Sequence, residues 1–184
     1  MTYVELIVVL SIFSVLSSIV IFNYGDFQAR VDIKNLASDI ALKIVEAQKS
    51  SLSGVWNSSA ADDWKPSYGV YFDLSSNKQF IYFVDLNNNF RYGGSSNCAA
   101  SECLDKIVIT KNNYISQIDS YTGSTLTQSI ENPLSVAFRR PDSSAIFTSS
   151  GLSPGFDYIQ ITIVSPKGAT ALIKLYPSGR VQVN

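Results

Sequence analysis

The chain has 184 residues, 46% of them hydrophobic, with 14 basic against 15 acidic side chains and a formal net charge of −1. That balance gives no electrostatic case for a dedicated nucleic-acid surface, which shows as a basic excess. Histidine is absent, which removes serine–histidine–aspartate and cysteine–histidine catalysis and every histidine metal site, so a non-enzymatic role is expected.

The first predicted element is a helix. Seventeen consecutive uncharged residues, Leu6 to Phe22, follow a single carboxylate, Glu5. As a helix the run is about 26 Å long, close to the hydrocarbon thickness of a bilayer. A secretory signal peptide needs a basic leading region and a small-residue cleavage site. Here no Lys or Arg precedes Arg30, and Ile19-Val-Ile-Phe22 is no cleavage motif. The expectation is a retained anchor from which any leader has already been removed. A carboxylate beside lipid must be paired, protonated or at the interface. Glu5 is therefore either a first-turn residue favoured by the helix dipole or an assembly residue whose counter-charge is the α-amino group of a neighbouring copy. Ser11, Ser14 and Ser18, with Ser17 adjacent, form a small polar face suited to helix–helix contact.

Met1-Thr-Tyr-Val-Glu5-Leu-Ile-Val-Val-Leu10 resembles the mature amino terminus of type IV pilins and of the pseudopilins of type II secretion. In those families a polar residue, here Thr2, follows the first residue, and Glu stands fifth before an apolar helix. The resemblance implies that a prepilin peptidase cleaves before Met1 and that Met1 is methylated. It departs from the family at Met1 itself, where Phe is usual and where an initiator Met is the other reading. It also implies partners: copies of the chain, related pilins in a helical fibre, and an inner-membrane assembly machinery. The subunit would wait in the cytoplasmic membrane and end in an extracellular fibre supporting adhesion, twitching or DNA uptake. A secretion pseudopilin is the alternative, and a membrane-tethered binding domain that never polymerises is a third.

The helical pattern continues beyond the anchor. Ile33, Ala37, Ile40, Ile44, Ala47 and Ser51 recur at spacings of three and four, flanked by Leu36, Ala41 and Val45, so one face is predicted to cover a sheet. Asp26, Arg30, Asp32, Lys34, Asp39, Lys43, Glu46 and Lys49 make the other face, with Asp26/Arg30 and Asp39/Lys43 spaced for weak pairs. Ser53-Gly54 is a stop signal, giving a helix from about residue 2 to about residue 53. Asn23-Tyr24-Gly25 is its weakest point by propensity. The expected organisation is a core helix at 1–25, an amphipathic helix at 26–54 and a β-rich head at 55–184.

Strand-like runs follow at Tyr68–Phe72, Gln79–Asp85, Lys106–Thr110, Tyr114–Ile118, Ser135–Arg139, Tyr158–Val164 and Thr170–Tyr176, with a short one at Arg180–Val183. Ser165-Pro-Lys-Gly168 and Pro177-Ser-Gly179 are turns. The fold class is α+β, one long helix on largely antiparallel sheets. The Ile161–Gly168 segment with Gly179–Val183 also resembles the carboxyl half of minor pilins and minor pseudopilins, whose heads form two antiparallel sheets on the helix.

Cys98 and Cys103, the two cysteines of the chain, are expected to pair in an exported head, with free thiols as the alternative. A redox Cys-x-x-Cys motif has different spacing. Asp85, Asn87 and Asn89 place oxygen-bearing side chains at alternating positions, a partial match to calcium chemistry. Phe90 stands where an EF-hand loop needs Gly, and Ser96 where it needs Glu, so a polar turn is the competing account. No cofactor is indicated.

Overall fold

The computed structural model describes residues 2–60, 65–98, 102–141 and 143–184. One helix, α1 (Tyr3–Ser53), runs 51 residues without interruption, about 76 Å at the standard rise. Its carboxyl end is a Schellman stop: Gly54 takes the left-handed conformation at φ 59°, its N–H reaches Ser51 O, and Val55 N–H reaches Ser50 O.

Among the described residues ten strands follow: β1 (Ser67–Phe72), β2 (Gln79–Asp85), β3 (Cys103–Val108), β4 (Tyr114–Thr122), β5 (Thr125–Ser129), β6 (Leu134–Phe138), β7 (Ala145–Thr148), β8 (Tyr158–Val164), β9 (Thr170–Leu175) and β10 (Val181–Val183). They form two five-stranded sheets, ordered β3-β2-β1-β6-β7 and β10-β9-β8-β4-β5, with antiparallel pairing throughout. The class is α+β, as the change of period after residue 54 predicts.

The stripe Ile33, Ala37, Ile40, Ile44 and Ala47 is fully buried, and both sheets close over it. From the first sheet come Val70, Phe72, Val84 and Val136; from the second come Ile115, Ile159, Ile161 and Ile173. Two-residue alternation aims these side chains at the helix. Strands β1 and β2 are buried on both faces, because a second cluster of Tyr71, Ile81, Phe83, Tyr92 and Ala137 lies on the far side of the first sheet. The unbroken apolar run Phe80–Val84 is the sequence trace of that double burial. Gly69 belongs here for a steric reason: a Cβ would meet Val136 O at 2.5 Å and the Phe83 ring at 2.7 Å.

Several sequence expectations are corrected. Asp26 meets Lys167 (3.5 Å) instead of Arg30, and Lys43 meets Glu46 (3.0 Å) instead of Asp39. Exposed side chains choose among neighbours of nearly equal worth, so spacing along the helix does not decide between them. Asp32, placed on the solvated face, is largely covered and pairs with Lys111 at 2.7 Å. Strand β3 begins at Cys103 and ends at Val108, not at Lys106 and Thr110. Strands β5 and β7 carry no sequence expectation at all.

Candidate functional site

The first turn of α1 is built by a reciprocal cap. Thr2 has extended backbone, its hydroxyl accepts from Glu5 N–H, and Glu5 Oε2 accepts from Thr2 N–H at 2.8 Å. A Thr followed three residues later by Glu is the sequence form of this capping box, a role that the dipole argument for Glu5 only approaches. Met1, the expected processing and methylation residue, lies outside the described residues.

Beyond that cap the helix is apolar and uncovered. Leu6, Ile7, Val8, Val9, Leu10, Ile12, Phe13, Val15, Leu16, Ile19 and Ile21 are all exposed. Helix-long, contiguous apolar surface of this extent marks a membrane or protein interaction face. The segment is long and apolar enough to cross a membrane, and none of it is buried against the rest of the chain. Within it Ser11 Oγ donates to Val8 O at 2.8 Å, so that hydroxyl is satisfied by its own helix. The helix backbone passes through Asn23, Tyr24 and Gly25 without a break.

The head's second feature is the loop between β2 and β3. Cys98 and Cys103 form a disulfide with Cα atoms 5.3 Å apart; Ala99, Ala100 and Ser101 between them lie outside the described residues. Glu102, beside the bond, is buried and accepts from Gly93 N–H at 2.7 Å. Tyr92 N–H donates to Ser135 Oγ at 3.1 Å. These contacts press the loop onto the outer aromatic cluster of the first sheet. The staple thus holds a cover over apolar surface.

The oxygen set at Asp85, Asn87 and Asn89 is committed to its own backbone. Asp85 Oδ1 accepts from Asn89 N–H (3.2 Å) and Oδ2 from Phe90 N–H (2.9 Å). Asn87 Oδ1 accepts from Asn89 N–H (3.1 Å), and Asn89 Oδ1 from Arg91 N–H (2.8 Å). These are linked Asx turns with Asn88 and Phe90 at positive φ. Four hydrogen bonds from three N–H donors, those of Asn89, Phe90 and Arg91, thus hold these oxygens in a polar turn. Among the described residues no three His, Cys, Asp or Glu side chains converge.

No family model, no curated protein and no solved structure matches this chain.

Proposed function

We propose that the chain is a pilin-like structural subunit that waits in a membrane and polymerises into a type IV pilus through its amino-terminal helix. The observation that carries this reading is the pairing of one solitary carboxylate, Glu5, with a long uncovered apolar helix that continues unbroken into a packed head. A bilayer accounts for the apolar surface before assembly, and neighbouring helices account for it afterwards. Head-to-tail contact between identical copies generates an open filament. The role is structural, not enzymatic.

Glu5 supplies the specificity in this scheme. A carboxylate offers about four acceptor sites, and the capping box engages only part of that capacity. In an apolar fibre core the remaining charge demands a cation. No Lys or Arg occurs before Arg30, so the α-ammonium of Met1 in the next copy is the counter-charge. Leader removal by a prepilin peptidase is what would expose that amine. The test is Glu5→Ala in cells that export the chain, read as the amount of this protein in sheared surface fibres. Loss of fibres with a folded head supports the reading, and a normal yield rejects it.

A further inference from the structure

The geometry points to a lipid-docking foot on the head: the β8–β9 hairpin tip, Pro166–Lys167, sets the Lys167 ammonium against the phosphate of an anionic phospholipid. This rests on the membrane-inserted state proposed above and deepens it.

If Leu6 to Phe22 fill the hydrocarbon, Gly25 lies about 4.5 Å beyond it, inside a headgroup layer about 5–7 Å thick on each side. The hairpin tip reaches that level, since the Lys167 side chain crosses Gly25 so closely that a Cβ would collide with it, and its Nζ lies 3.5 Å from Asp26. Tyr24 and Phe27 are exposed at the same height, where amphipathic and aromatic side chains anchor proteins at a bilayer surface.

Lys167 is half exposed, and its pair with Asp26 is long and open to water, so it is weak and leaves donors of the ammonium for another acceptor. Two clefts flank it. One, of about 370 Å³, lies between the helix and the two turns carrying Lys111 and Lys167, and is walled by Tyr24, Ala29 and Pro166. The other, about 150 Å³, carries Arg30. With Lys111 held by Asp32 at 2.7 Å, Arg30 and Lys167 face one carboxylate, Asp26, in a chain whose overall charge is −1. An apolar wall with a cationic rim at headgroup depth complements a glycerophosphate head.

The test is amide hydrogen exchange of the full chain in nanodiscs, following the hairpin whose turn is closed by Gly168 N–H to Ser165 O. Exchange at Lys167 and Gly168 is expected to be about fivefold slower in mixed phosphatidylcholine–phosphatidylglycerol than in phosphatidylcholine alone, the factor one cation gains at an anionic leaflet. Lys167→Gln should abolish that difference. Lys49→Gln, which removes the same charge about 36 Å further along the helix, should retain it. Equal rates in the two lipids for an inserted chain, or a difference that survives in Lys167→Gln, overturn the foot and leave the membrane reading standing. Slowing by inorganic phosphate in phosphatidylcholine discs overturns the lipid assignment. A chain that never enters the discs overturns the membrane reading and the foot with it.

Discussion

In the single chain the Glu5 carboxylate already caps its own helix through Thr2, so it serves both as a local cap and as the charge we propose for assembly. The sequence marked Glu5 as a first-turn or assembly carboxylate but not its reciprocal cap with Thr2, and which partner it takes in a fibre depends on a second copy. Ser51 shows how a small residue in an apolar stripe can be decisive. Its buried hydroxyl accepts from Tyr68 N–H at 2.7 Å and donates to Tyr68 O at 3.3 Å, pinning α1 to β1. Ser51→Ala should destabilise the head by about 1–3 kcal/mol, because it leaves a buried N–H without an acceptor. Urea denaturation followed by circular dichroism measures it, and an unchanged midpoint would show that water or a shifted backbone replaces the bond. The sequence placed Ser51 on the buried face, but it could not say that a strand begins opposite it.

The helix was legible as an element because two signals agree along its length: uncharged residues to Phe22, then a three-and-four stripe to Ser51. Its stop was legible in Gly54, where φ 59° suits glycine. Strands β5 and β7 were not legible, for different reasons. Thr125-Leu-Thr-Gln-Ser129 is a polar edge strand, exposed along most of its length, whose pairing with β4 gives no burial pattern to read. Ala145-Ile-Phe-Thr148 is four residues long, too short for alternation to emerge. Asn23-Tyr24-Gly25 should take up any stretching on assembly, since an interior Gly costs about 1 kcal/mol relative to Ala and no Pro or Gly precedes it. A fibre density map reads this directly, and unwinding centred on residues 11–18 with helical 23–25 would refute it. Intact exported protein should offer no thiol to an alkylating reagent, and replacing both cysteines by Ser should cost about 2 kcal/mol for so short a loop. Quantitative labelling of native protein would contradict the bond.

Across the whole molecule, two sheets and half a helix enclose one core, and a second aromatic layer is stapled over the first sheet. Four tyrosines span those layers. Burial raises the pKa of Tyr68, Tyr71, Tyr82 and Tyr92 above the ordinary tyrosine value. Folding therefore favours their neutral form, a contribution fully present below the unfolded value of about 10 and lost as pH rises through the higher folded values. Thermal unfolding should show Tm falling progressively above about pH 10, tracked by tyrosinate absorbance; a flat Tm across that range would mean these rings are solvated in the folded state. Asp32 acts in the opposite sense, because its hydrogen bond from Lys111 lowers its pKa. Its contribution to stability is present above the ordinary aspartate value and is lost as pH falls through the lowered one. The proposed assembly draws on a head packed on the carboxyl half of a helix whose amino half is uncovered. The direct measurement is the quantity of this chain in sheared surface fibres from cells expressing the wild type or Glu5→Ala, with head folding checked by the intact disulfide. The account predicts abundant fibres for the wild type and a near-complete loss for Glu5→Ala at equal amounts of folded protein. Equal fibre yields, or no wild-type chain in any fibre, would contradict it.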